Sequence, residues 1–271
     1  MQAAAFRAAN PIPEAIARNG MAFGTWIQMN APEAAEIAAA AGLDFVIVDM
    51  EHGSFGIAEA VHLIRAVQVG GAAPLVRVPD HDPTGILKVL DAGAAGVLVP
   101  GVEDAAQAAA IVAATRFAPA GSRGACPATR ATAHGLVGWA EHVAWAEANV
   151  LALLIVESLE GVRNFEAILA VPGIYAIGIG MFDLAQAMGH AGDYGHPAVQ
   201  AELARLSGLA RARGIEVFSA TFESEPAKVA AAARHWRGLG ARLFAASADR
   251  VMLAGGYGAI AAATARACRD G

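Results

Sequence analysis

The sequence predicts a (β/α)8 barrel, and three observations predict it. Eight short apolar runs alternate with longer, Ala-rich segments of helical spacing over 271 residues. The runs are apolar nearly throughout, so both faces are buried, as in a parallel sheet. No Gly-x-Gly-x-x-Gly turn follows the first run, which weighs against an open doubly wound sheet, the other parallel architecture. No linker divides the chain, so one barrel is expected over residues 1–271.

The elements follow in order. The first strand is expected at Phe23–Gln28. "APEAAEIAAAAG" is a helix, with Pro32 near its start and Gly42 at its end, the usual start and stop chemistry. Asp44–Asp49 is the second strand and Pro74–Val78 the third. The helix "DPTGILKVLDAG" comes next: Asp82 is placed to cap it, Pro83 to start it and Gly93 to end it. Gly96–Pro100 is the fourth strand and "EDAAQAAAIVAATRF" its helix. Ala118–Gly138 is irregular and rich in Pro, Gly, Arg and Thr. Long loops on a compact scaffold are more often functional than decorative. Val150–Glu157 and Tyr175–Gly180 are the fifth and sixth strands. Ile215–Ala220 and Ala241–Ser247, each preceded by a helix, complete the set. Gly42, Gly214 and Gly240 each stand between a helix and a strand, where a left-handed turn is needed.

Composition narrows the function. The net charge is −6, with 16% charged and 56% hydrophobic residues. No basic stripe suits nucleic acid and no polybasic run suits a membrane surface. No apolar block approaches the roughly 20 residues of a membrane span. The first 20 residues lack the apolar core of a signal peptide. The two cysteines, Cys126 and Cys268, are far apart and imply free thiols in a reducing cytoplasm.

In such a barrel, catalytic groups belong at the C-terminal ends of strands. The second strand delivers Asp49, Glu51 and His52, and the third carries Arg77. The fifth ends at Glu157, and the sixth leads through Gly180 to Asp183. Taken singly, each has a plainer reading. Arg77 fits a strand-end cation, Glu157 a helix N-terminal acid, Asp183 a helix cap and His52 a loop-bonded histidine. Together they converge on one mouth. Carboxylates without Cys suit a hard divalent cation such as Mg2+ or Mn2+. The short His or Cys spacing of a zinc site is not found. The only two lysines, Lys88 and Lys228, fall in expected helices, so a Schiff-base route, which needs a lysine in the mouth, is not indicated.

Four longer stretches then carry a resemblance. "FGTWIQMNAPEAAEIAAAAGLDFVIVDMEHGSFG" and "PLVRVPDHDPTGILKVLDAGAAGVLVPGVED" are two of them. "RFAPAGSRGACPATRA" and "LLIVESLEGVRNFEAILAVPGIYAIGIGMFDLAQAMG" are the others. The chain resembles the HpcH/HpaI aldolase family, metal-dependent class II pyruvate aldolases, from about Phe23 to about Val251. The resemblance implies a divalent cofactor (Mg2+, Mn2+ or Co2+) on Glu157 and Asp183. It makes His52 the general base, Asp49 the partner that orients its ring, and Arg77 the contact to the 2-oxo and enolate oxygens. Asp91 would act near the active site at a subunit contact, and Arg123, in the "AGSRG" loop, would meet substrate. Phe182 and Asp183 would line the substrate site, with Glu51 and Trp26 in support.

Two departures bear on specificity. Ile155 stands where the family has Gln, and Met181, Phe182 and Ala185 replace the family's Pro-x-Asp-Leu-Ser surroundings of the Asp. The implied reaction is reversible cleavage of a 4-hydroxy-2-oxo acid to pyruvate, or a related 2-oxo acid, and an aldehyde. Related alternatives are a citrate-synthase-like condensation, oxaloacetate decarboxylation, or a non-catalytic barrel that binds a small acid. The resemblance also implies a hexamer, a dimer of trimers, with the Ala-rich C-terminal segment packed on a neighbour.

Overall fold

A computed structural model describes residues 9–269. Eight parallel strands close into a barrel in sequence order. They are β1 (Ala22–Ile27), β2 (Phe45–Asp49), β3 (Ala73–Arg77), β4 (Gly96–Val99), β5 (Leu151–Val156), β6 (Ala176–Ile179), β7 (Glu216–Thr221) and β8 (Leu243–Ala248). Each matches an expected strand to within a few residues. Every residue of β2, β3, β4, β5 and β6 is buried, as continuous apolar runs require. Closure at β1–β8 pairs Ala22 with Leu243 and Gly24 with Ala245. A Cβ on Gly24 would lie 2.3 Å from the Phe45 ring, so this position needs glycine for close approach, not for its dihedral angles.

The five expected helices are present: α2 (Pro32–Ala40), α4 (Pro83–Asp91), α5 (Ala105–Thr115), α10 (Pro197–Ala212) and α11 (Pro226–Leu239). Asp82 caps α4 through the N–H groups of Thr84 and Gly85. Gly42, Gly214 and Gly240 have φ of 94°, 73° and 97°, the left-handed turn expected of them. Further helices are α1 (Pro11–Asn19), α3 (Ile57–Val69), α6 (Trp139–Asn149), α7 (Leu159–Arg163), α8 (Phe165–Leu169), α9 (Met181–Ala187) and α12 (Asp249–Ala267). The irregular stretch is mostly loop, with a 3-10 turn at Arg130–Gly135.

Two helices set the ends of the barrel. Ile12 and Ile16 of α1 are buried. Asn10 holds the carbonyls of Ala95 and Asn149, just before β4 and β5, so α1 covers the N-terminal end. The C-terminal end stays open. At α12 the packing stops: every described residue from Gly256 onward is exposed. Among the described residues no helix is long and apolar enough to cross a membrane. Part of the N-terminal segment, where no signal-peptide core is expected, lies outside the described residues.

Candidate active site

β2 and β3 are in register with Asp49 opposite Arg77, and this register builds the first part of the site. Arg77 donates from Nε to Asp49 Oδ1 at 2.8 Å and from Nη2 to Oδ2 at 2.7 Å. Its Nη1 lies 2.8 Å from Glu51 Oε2. Both members of the fork are buried, which makes pairing necessary, since a lone charge there is costly. Burial raises the Asp49 pKa, but the Arg77 hydrogen bond and charge, with Gln28, outweigh it and leave the carboxyl below its usual range. Below the guanidinium lies Trp26, its ring centroid 4.4 Å from Arg77 Cζ, a cation–π stack. The Trp26 indole N–H is buried without an acceptor among the described residues.

Asp49 does not reach the His52 ring, contrary to the expected dyad. Its oxygens accept from Arg77, from Gln28 Nε2 at 2.8 Å, and from the backbone N–H groups of Glu51 and His52 at 3.1 and 3.2 Å. Those donors fill the carboxylate, so Asp49 fixes the His52 main chain instead. The His52 ring is exposed, and its Nε2 lies 4.0 Å from Glu51 Oε2. Burial raises the Glu51 pKa, against the opposing charges of Arg77 and His52.

The second part comes from β5 and β6. Glu157 leaves the end of β5 and accepts the Gly101 N–H at 2.8 Å. It is not a helix cap: Ser158 takes that role for α7. Asp183 sits in the first turn of α9, but Gly180 occupies the cap position and lacks a capping side chain. Asp183 is therefore not the cap of α9, while Glu157 stands one residue before the cap of α7, where its charge also faces a helix N-terminus. Burial, then the charge of Asp183, pushes the Glu157 pKa from 4.5 up to about 7, against the Gly101 hydrogen bond. A cavity of about 200 Å³ contains Gln28, His52, Arg77, Glu157 and Asp183 in its lining. Trp26, Ile155, Met181, Phe182 and Phe218 supply much of the apolar wall. Phe182 is exposed on its rim.

Asp91 and Arg123 are brought together with each other, not with the mouth. Arg123 Nη2 donates to Asp91 Oδ1 at 2.7 Å. Asp91 ends α4, on the return toward the N-terminal end of β4. Neither residue lines the mouth cavity. Within one protomer Arg123 thus lies away from the mouth where a substrate contact was expected, whereas Asp91 was expected at a subunit contact. Lys88 lies in α4, and Lys228 lies in α11 beside Glu225, so neither is aimed into the mouth.

The donor set suits a hard divalent cation. No group of three or more His, Cys, Asp or Glu side chains is arranged to hold a metal among the described residues. Glu157 and Asp183 supply two carboxylates, and burial, then the charge of Asp183, pushes the Glu157 pKa up to about 7. Such a pair accepts a cation and leaves further positions to water or substrate oxygens. Gln28 and Arg250, the latter anchoring the turn after His52, were not singled out by sequence reasoning. Gln28 was visible only as the last residue of the first expected strand, and Arg250 carried no motif.

A closed parallel barrel with carboxylates and an arginine at its C-terminal mouth has the arrangement of an enzyme active site. The sequence model of the HpcH/HpaI aldolase/citrate lyase family matches residues 22–248, and the chain belongs to that family. It is a carbon–carbon lyase of aldolase type. The chain is 36% identical over 200 residues to a 2-dehydro-3,6-dideoxy-6-sulfogluconate aldolase of Pseudomonas putida, covering 74% of this chain and 78% of that one. A crystal structure of an HpcH/HpaI aldolase/citrate lyase family protein from Burkholderia cenocepacia superposes with a TM-score of 0.82 at 32% identity, over 96% and 98% of the two chains. The citrate synthase SbnG superposes with a TM-score of 0.80 at 27% identity, over 94% and 98%.

Proposed function

We propose that the protein is a divalent-metal-dependent aldolase that reversibly cleaves a 4-hydroxy-2-oxo acid into pyruvate, or a related 2-oxo acid, and an aldehyde. The observation that carries this is the Glu157–Asp183 pair facing the same cavity as Arg77 and His52. The similarity to the Pseudomonas 2-dehydro-3,6-dideoxy-6-sulfogluconate aldolase supports the substrate class.

Held by Glu157 and Asp183, Mg2+, Mn2+ or Co2+ would supply Lewis-acid polarisation of the 2-oxo group. Arg77 directs two donors at Asp49, and its Nη1 stands in an ion pair 2.8 Å from Glu51 Oε2. Its remaining N–H groups are free to hold the oxygen that gains charge as the enolate forms. His52 takes the proton of the 4-hydroxyl while the C3–C4 bond breaks. The bonding pair passes to the enolate, C4 leaves as the aldehyde, and a proton returned to C3 completes the 2-oxo acid. In synthesis, the same base removes the C3 proton. Asp49 is a positioning residue: it holds Arg77 and the main chain of His52. Glu51 holds the outer edge of Arg77. Ile155 and Phe182 make the pocket wall more apolar than the family pattern.

Similarity to a citrate synthase supports one second reading, addition of the same enolate to a 2-oxo acceptor. Pyruvate with a panel of aldehydes, set against oxaloacetate alone, separates aldol chemistry from condensation and decarboxylation. If no product forms with Mg2+, Mn2+ or Co2+, the enzymatic reading fails and a small-acid-binding barrel remains. His52→Ala should spare Mn2+ binding and cost turnover by about 100- to 10,000-fold. Assembly through α12 belongs to the same proposal. Exposure of Met252, Leu253, Tyr257 and Ile260 supports it, and the resemblance favours a hexamer.

A further inference from the structure

The geometry points to Arg250 as a positioning residue for His52, tying the active-site turn to the root of α12. This rests on the aldolase reading of His52 given above. Among the described residues the His52 ring makes no hydrogen bond, so its place is set by its main chain. Asp49 holds the N–H side of that main chain. Arg250 holds the carbonyl side: Nη1 donates to His52 O at 3.3 Å. The same guanidinium donates from Nη2 to Gln28 O at 2.8 Å and to Ser54 Oγ at 3.2 Å. One planar cation thus spans the end of β1 and both sides of the turn after β2.

The root that carries it is fixed independently. Asp249, buried at the start of α12, accepts from the N–H groups of Gln28 and Met29 at 3.1 and 2.9 Å. Gln28 in turn donates to Asp49 Oδ2. The chain of bonds runs from α12 through β1 to the Arg77 fork and to the base. Arg250 makes no ion pair among the described residues, so its charge serves two carbonyls and one hydroxyl. Holding an exposed arginine in one rotamer costs up to about 2 kcal/mol of entropy, which three bonds, two to the turn and one to the end of β1, offset. A lysine keeps the charge but not the planar fork that spans separate acceptors.

Cleavage and decarboxylation use the base differently, and that isolates the role. Cleavage of a 4-hydroxy-2-oxo acid needs the 4-hydroxyl proton removed. Oxaloacetate loses an already ionised carboxylate as CO2 and gives the same enolate with no such proton transfer. Pyruvate release from both substrates is measured with Mn2+ for the full chain, Arg250→Ala and Arg250→Lys. For Arg250→Ala, kcat for cleavage should fall roughly ten- to hundredfold, as expected for a displaced catalytic group. KM for oxaloacetate and the decarboxylation rate should stay near wild type, and Arg250→Lys should recover part of the cleavage rate. A fall shared equally by both reactions, or no fall, overturns the assignment. If the wild-type chain releases pyruvate from neither substrate, the aldolase reading has failed and the assignment falls with it.

Discussion

In the proposed mechanism the chemistry turns on Glu157, and its charge should be visible in solution. Its pKa lies about 7 instead of 4.5 through burial and then Asp183. Between those values the folded chain binds a proton that the unfolded chain has released. Metal-free protein should therefore lose stability as pH rises through that window, by on the order of 2 kcal/mol in all. Thermal melts in EDTA from pH 4.5 to 8 test this, and Glu157→Gln should flatten the trend. A bound cation competes with the same proton. Apparent Mn2+ affinity should then fall about tenfold per pH unit below about 7, read by titration calorimetry. Asp49 makes the opposite case, since its ion pair is already complete. Asp49→Asn strands the buried Arg77 charge beside Glu51 alone and should cost about 3–5 kcal/mol in chemical denaturation.

Elements decide how precisely these groups meet. Gly180 has an ordinary helical-side φ of −66°, yet a Cβ there would lie 2.3 Å from Glu157 Oε2. Gly180→Ala should therefore displace the carboxylate and weaken Mn2+ binding at least tenfold, an effect on the order of 1.4 kcal/mol, with little change in the melting temperature. The eight strands were legible because a strand buried on both faces is a continuous apolar run. α2, α4, α10 and α11 were legible because Pro stands at their starts. α3 and α6 were not, since each starts from a Gly: Gly56, whose N–H the Glu59 carboxylate accepts, and Gly138. α1 carries the same signal, Pro11 after the capping Asn10, and was not read from it. At the site, strand ends were readable and pairing was not. That Asp49 meets Arg77 depends on the β2–β3 register, and that Asp91 meets Arg123 depends on where a long loop returns.

At the scale of the molecule, the barrel leaves one open mouth and one unburied helix. A folded domain rarely exposes a long Ala-rich helix carrying Met252, Leu253, Tyr257 and Ile260 without covering it. Light scattering is expected to give a homo-oligomer, and Tyr257→Glu with Ile260→Glu should shift it toward monomer. A monomeric wild type would contradict assembly through α12. The link from α12 through Asp249 and Arg250 to His52 further predicts that the dissociated variant cleaves more slowly than it decarboxylates.

The central claim is that Glu157 and Asp183 hold a divalent cation for aldol cleavage. It is tested most directly by pyruvate release from a 4-hydroxy-2-oxo acid after EDTA treatment, with and without added Mn2+. The expected result is no release without metal, restoration by Mn2+ in wild type, and no restoration in Glu157→Gln. Full release without metal, or Mn2+-dependent release undiminished in Glu157→Gln, would contradict it.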